Sequence, residues 1–549
     1  MAIINTLAAP LSKKGAKIYS QDALGNPGWI YADIDDTALT IGSPGEIGFG
    51  VGVCPPDIRP SAFTPMTGYA DPASPNYGNY QYSDGSVMVW VPKFYYRINN
   101  ASNPTYSTHT PNDIDIRGTD VYATRAAAEA AGYALHRAFI DGGVEQPGFF
   151  IDKYQGSKNA KGTGFIMSSI RYGLPLSADA AHNPVGELTA TTGSNILASF
   201  VTAPKARDGE NGLVNTSSIF HCFSVFQSSA LAMLSLAHGQ ASTGTANCAW
   251  WSATTTNFPK GDNNNALKDA NDVTVIYQSD GYSNCGKTGS GSSFAKYFHN
   301  GQECGIADLN GNMWEALIGM TCIGTSKNIS GVTLANPCVV TVASHGYATG
   351  QIKQITGIVG TTQLNDKMFT ITVIDANTFS LDEVNSTAYT PYTSGGSVSE
   401  GTFYAAKEST RMRDFTSGNT LVTDHWGATG ITALMEPITA PFVAASGGSA
   451  CAQFFGNGVN QVLSGAASGD GYKLASIGFP KDSSGVSTGG TDLFGKDYFY
   501  QYFRNESCLL GCGSWVNGTS AGLWSRYLNL ARSNANNSSG CRAACYLLG

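Results

Sequence analysis

Four cysteines near the end of the chain, Cys508, Cys512, Cys541 and Cys545, form two C-x-x-x-C pairs. Paired thiolates can hold zinc or close a disulfide, but zinc knuckles favour the tighter C-x-x-C spacing. Small buried thiols are the better reading. The same holds for the chain's 12 cysteines as a set, which are scattered rather than grouped. Gly281 to Thr288, GYSNCGKT, fits the phosphate-loop pattern G-x-x-x-x-G-K-[ST]. That chemistry needs a helix directly after the loop, whose amides hold the phosphates. GSGSS follows instead, so the stretch reads as a surface loop. His221, His238, His299 and His425 stand apart, with no H-E-x-x-H spacing. The acidic turn Asp33 to Asp36 lacks the glycine of a calcium loop. No catalytic residue, metal or cofactor is predicted.

The remaining candidate chemistry is recognition. The stretch RSNANNSSG, Arg532 to Gly540, has no apolar periodicity, yet aromatic, apolar and cysteine residues bracket it. A polar run of this kind is ordinarily a disordered tail. Its flanks predict instead a polar surface held on a folded scaffold.

Strand and helix signals supply that scaffold. VMVWVPKFYYRI, Val87 to Ile98, and GFFIDKY, Gly148 to Tyr154, read as strands. The Ala-rich stretch opened by Thr124 reads as a helix through Phe139. Phe223, Phe226, Ala230, Met233, Leu234 and Ala237 recur at helical spacing, predicting a helix with one buried face that ends at Gly239. From about 327 to 399, β-branched runs are cut by Gly and Asn turns. This predicts a small all-β module inserted into a larger domain, with its two ends close together. The expected organisation is an N-terminal β-rich region over 1–85, a main domain over 86–326 and 400–549, and the module over 327–399.

Four short motifs occur along the main domain: GFFIDKYQGS, GIADLNGNMWEALIG (Gly305 to Gly319), CGSWVNGTSAG and GCRAA. Together they resemble the formylglycine-generating-enzyme branch of C-type-lectin-like folds. The resemblance implies an α+β, loop-rich C-type-lectin-like fold, with Trp314 as a core anchor and with Asn312 and Glu315 satisfying buried backbone groups. It does not carry the enzyme's chemistry across. The redox cysteine pair of that branch falls on Trp524 and Asn529 here, and neither is a thiol.

The closing segment is similar to the variable region of ligand-binding proteins diversified by retroelements. Gly513, Trp515, Gly522, Ser533 and Gly540 stand in that frame without a gap. Carried over by position, the exposed variable slots fall on Ser514, Val516, Asn517, Gly518, Ser520, Tyr527, Asn529, Leu530, Asn534, Asn536, Ser538 and Ser539. Trp524, Arg526 and Tyr527 add the aromatic and guanidinium content of binding hot spots. The regions around residues 49–98 and the module resemble parts of phage tail proteins. What this implies is a phage tail receptor-binding protein, not an enzyme. Its implied partners are a bacterial surface receptor (protein or glycan) and other tail proteins, in a homotrimer.

Composition agrees. The net charge of −8 argues against a phosphate-backbone binder. No apolar run approaches a membrane span, and the start of the chain does not read as a secretory signal, so synthesis in a host cytoplasm and assembly into a virion are expected. The competing readings are an oxidoreductase on the same fold, which would need the missing thiols, and a surface-displayed bacterial lectin, which would need an export signal.

Overall fold

In the computed structural model the described residues are 40–252, 258–416, 431–438, 447–456, 459–489 and 492–548, preceded by two backbone strands, Ile18–Gln21 and Pro27–Tyr31. The Asp33 to Asp36 turn, His425 and most of residues 1–39 lie outside them.

Strands dominate, at 30% against 15% helix, and are spread over several sheets. This overturns the expected loop-rich α+β C-type-lectin-like fold. The physical reason lies in the helices. The Ala-rich stretch is helical only over Arg125–Ala130, capped by the Thr124 hydroxyl, which accepts from the Ala127 amide. Gly132 then turns the chain at φ 81°, and Ala134–Leu135 joins a strand. The longest helix among the described residues, Val225–Ala241, opens with a capping box between Ser224 and Gln227. It is buried on every side from Val225 to Gln240, not on one face as expected. Its polar positions are taken inside by partners on other elements, as where Ser229 donates to the Ala475 carbonyl and Gln240 to the Asn112 carbonyl.

The predicted strand over Val87 to Ile98 is two strands in two sheets. Val87–Pro92 lies in a six-stranded antiparallel sheet and Phe94–Ile98 in a three-stranded one. Pro92 has no amide to extend the first ladder. The six-stranded sheet runs Phe220–Cys222, Ala543–Cys545, Gly148–Asp152, Val87–Pro92, Asn79–Tyr82, Phe63–Pro65. The last strand of the chain therefore sits inside the sheet, between strands from much earlier. The boundary expected at residue 85 falls between two paired strands, Asn79–Tyr82 and Val87–Pro92. Phe63 stacks on Phe150 at 4.3 Å, so residues from this early region complete the main core.

A second, seven-stranded sheet carries the C-terminal segment. Its order is Val486–Ser487, Ala452–Phe455, Tyr498–Tyr500, Arg526–Ala531, Ser507–Gly511, Trp314–Leu317, Ser539–Gly540. A separate hydrophobic cluster, including Val340, Ile355, Phe369, Ile371, Phe379 and Val398, fills the 329–398 region. Its stem is the antiparallel pair Met320–Asn328 and Ser394–Ala406, in continuous register from Met320 opposite Ala405 to Asn328 opposite Ser397. The module also leans on the body, where Lys367 and Met368 pair with Ala450 and Ser449.

Candidate functional site

The four motifs meet in one buried polar network. Asp152 receives two hydrogen bonds from Arg207, at 2.5 and 2.8 Å. Gln155 donates to Glu315 Oε1 at 3.0 Å and to the Met313 carbonyl at 3.1 Å. Its own carbonyl oxygen accepts from Asn312 Nδ2 at 2.8 Å. Arg542 donates to the backbone carbonyls of Asp152 and Ala307. These groups are fully or almost fully buried, so each must find a partner inside the protein. Asn312 sits at φ 64°, a conformation Asn tolerates better than most residues. Arg207 belongs to this network and no motif signalled it. Only its burial against Asp152 reveals its role.

This network sets the height of the C-terminal loop. The Trp515 amide donates to the Asn312 carbonyl at 3.0 Å, and the Trp515 carbonyl accepts from the Asn265 amide at 2.6 Å. The Gly518 amide donates to the Asn263 carbonyl at 2.6 Å. Gly513 and Gly522 are sterically required. A Cβ on Gly513 would meet Ala521 Cβ at 2.4 Å, and one on Gly522 would meet Asp497 Oδ1 at 2.1 Å.

The proposed contact residues divide sharply. Val516 is 53% exposed, and Asn517, Gly518, Tyr527, Asn529, Leu530, Asn534 and Asn536 are half-buried. Six others are buried, which corrects their expected exposure. Ser514 turns its hydroxyl to Asn517 Oδ1 at 2.7 Å, and Ser520 turns its hydroxyl to the Asn517 carbonyl at 2.6 Å. Ser538 donates to Asn536 Oδ1, and Ser539 is a strand residue opposite Trp314. Trp524 packs between Phe455 and Phe494, at 5.3 and 5.4 Å. Arg526 is 0% exposed and donates to the carbonyls of Ile477, Leu523 and Ser525. These six side chains are packed inside as structural supports.

The residues that stay accessible form two neighbouring patches. One is the loop Val516–Gly518 beside Asn536 and Asn537. Here Asn537 Nδ2 donates to the Tyr282 hydroxyl at 3.1 Å. The other lies on the strand Arg526–Ala531. Tyr527 stacks on Trp314 at 5.3 Å and meets Tyr500 edge-on at 4.6 Å. Tyr500 contacts Tyr498 at 5.2 Å, and Tyr498 contacts Phe454 at 4.5 Å. Phe454, Tyr498, Tyr500 and Tyr527 are all partly exposed, so a row of rings crosses three adjacent strands. Asn529 flanks this row and accepts from Arg504 at 3.0 Å. A cleft lined by Thr325, Gln354, Ser397, Phe503 and Arg504 opens beside it, between the module and the body. The sequence frame found Tyr527 and Asn529 but missed Phe454, Tyr498, Tyr500 and Arg504. Their shared face follows from strand pairing, which spacing along the chain does not encode.

All 12 cysteines are free and buried. Cys541 lies near Cys222, with sulfurs 3.1 Å apart. The Gly281 to Thr288 stretch leads into turns, with no helix behind it. Among the described residues no helix is long and apolar enough to cross a membrane.

Residues 335–401, almost the whole inserted module, match the family model of the ubiquitin-activating enzyme E1 FCCH domain. The match covers a small part of the chain and describes what that module is similar to. No curated protein matches the chain.

Proposed function

We propose that this protein is a receptor-binding component of a phage tail, a non-enzymatic adhesin that recognises a bacterial surface receptor. The observation that carries this reading is the partly exposed row Phe454, Tyr498, Tyr500 and Tyr527, flanked by Asn529 and Arg504. Aromatic rings with few rotatable bonds, beside amides and a guanidinium, are the side chains that dominate recognition surfaces. The buried network beneath them is rigid support and leaves the outward side chains to vary without disturbing the fold. The chain acts in the virion, after synthesis in the host cytoplasm. As a homotrimer it would multiply weak single-site contacts into stable attachment.

The test is adsorption of labelled protein to a panel of bacterial strains, beside a triple variant carrying Tyr527→Ala, Asn529→Ala and Asn534→Ala. Strain-restricted binding by the parent, lost in a folded variant, is expected. Equal binding by both proteins would move the receptor site away from this face.

A further inference from the structure

Beside the loop patch, three side chains with metal-ligating atoms converge. His182, Asp280 and Cys285 each place one such atom within 4.8 Å of the others. His182 and Cys285 are buried, and the Asp280 side chain is enclosed with His182. Asp280 and Cys285 come from the loop that mimics a phosphate-binding motif, and His182 comes from a turn 98 positions before Asp280.

The imidazole is held on all sides. Tyr282 stacks on it at 4.1 Å with an interplanar angle of 12°, and Trp515 meets it edge-on at 5.5 Å. Nδ1 faces the Asn537 carbonyl at 2.6 Å, and Nε2 faces Asp280 Oδ2 at 2.7 Å. Both neighbours are acceptors, whereas a neutral imidazole has a single N–H to offer. With the Nδ1–H given to the carbonyl, His182 Nε2, Asp280 Oδ2 and Cys285 Sγ are left as three donor atoms within 4.8 Å of one another. A backbone carbonyl fixing the tautomer of a histidine is the usual second shell of a metal ligand. Asp280 is oriented in the same manner, by Asn183 Nδ2 at 2.9 Å and the Tyr282 amide at 2.8 Å.

A second observation points the same way. Asp262 is 0% exposed, and neither of its carboxylate oxygens has a hydrogen-bond partner. Burial, with Asp308 adding to it, pushes the Asp262 carboxyl well above the ordinary carboxylate range. A buried carboxyl with no hydrogen-bond partner is costly, and a cation bound close by would offset that cost.

We propose that His182 Nε2, Asp280 Oδ2 and Cys285 Sγ bind a divalent transition-metal ion of the zinc class. A nitrogen, sulfur and oxygen set suits zinc or cobalt, whereas calcium and magnesium reject sulfur. The ion fastens the C-terminal segment, through Asn537 and Trp515, to the turn that carries His182. The proposal does not depend on the nature of the receptor.

The experiment is titration of metal-stripped full-length protein with Co²⁺, followed by absorption spectroscopy. A thiolate-to-cobalt charge-transfer band that saturates at a single ion per chain is expected. The band should vanish in Cys285→Ser and persist in Cys508→Ser. His182→Gln should weaken cobalt binding about tenfold or more. No band in the parent protein would overturn the proposal, even if a variant fails to fold. Survival of the band in folded Cys285→Ser would overturn it equally.

Discussion

Arg542 aims two nitrogens at a single carboxylate oxygen, Oε1 of Glu315, with Nη2 at 2.6 Å and Nε at 3.0 Å. Both side chains are 0% exposed. The pair joins the strand Trp314–Leu317 to the closing segment of the chain. Removing one partner leaves the other charge buried and uncompensated. Arg542→Met is expected to destabilise the protein by about 3–5 kcal/mol. Urea denaturation followed by tryptophan fluorescence measures this, and a loss below about 1 kcal/mol would show that the pair is not needed for stability.

Tyr527 stands where two rings hold it and one face remains partly open. Tyr527→Ala is expected to weaken receptor binding by about 2 kcal/mol, roughly thirtyfold, because aromatic anchors carry disproportionate binding energy. Arg526→Lys is expected to act differently. It should lower stability through lost bonds to the carbonyls of Ile477, Leu523 and Ser525, at fixed receptor affinity for the folded fraction. Cell-binding curves and thermal melts run on the same samples separate the two effects.

Asp497 is buried beneath Gly522, with its Oδ2 accepting from the Trp524 amide at 2.7 Å. Burial pushes its carboxyl up to about 8, against the pull of the Trp524 amide and Arg526. A folded-state value above the unfolded one makes a contribution that is fully present at acid pH. That contribution shrinks as pH rises from the ordinary carboxyl range, and is lost through about 8. Stability near this group should therefore decline between pH 5 and 9 in the parent, and decline less in Asp497→Asn. Melting temperatures across that range test it, and identical slopes would refute the assignment.

None of the 12 thiols is exposed. Ellman's reagent should label no cysteine in the native protein and all of them after denaturation. Fast labelling of the native chain would show that the core opens readily.

The stem of the inserted module permits a clean excision. Ser326 and Ser399 are paired across it. Replacing residues 327–398 with Asn-Gly would close the two strands by a two-residue hairpin turn. The shortened chain is expected to unfold in a single cooperative transition by calorimetry. A cost is expected where Met368 covers Cys451 and Tyr502. Loss of cooperative folding would mean that the module is part of the body's core.

The parts of this fold that were legible in the sequence are those that depend on neighbours along the chain. The Val and aromatic runs became strands, and the spacing from Phe223 to Ala237 marked the long helix. What stayed hidden depends on partners far away. Arg526 looks like a surface hot spot until the carbonyl of Ile477, 49 positions away, joins the local carbonyls of Leu523 and Ser525 in taking its donors. Trp524 looks accessible until Phe455 and Phe494, from distant segments, close on it. The convergence of His182 with Asp280 and Cys285 has no local signature, and the motif containing Cys285 suggests phosphate instead. The expected lectin-like class failed for a related reason. Short motifs report a shared polar network, and a network of that kind does not dictate how much strand or helix is built around it.

The stem has a mechanical meaning as well. Its two strands leave the body side by side and enter the module side by side. A pull on the module loads both along their length together, so the hydrogen bonds between them are neither sheared nor unzipped. The tension passes to their roots. There the Thr321 hydroxyl holds the Ser507 carbonyl at 2.8 Å, the Ser507 hydroxyl holds the Cys322 amide at 2.9 Å, and the Ala406 amide holds the Gly319 carbonyl at 2.9 Å. Ser507 begins the strand that lies directly beside Tyr527 and Asn529. Traction on the module is thus delivered to the sheet that bears the aromatic row, and the insert is a handle on that sheet.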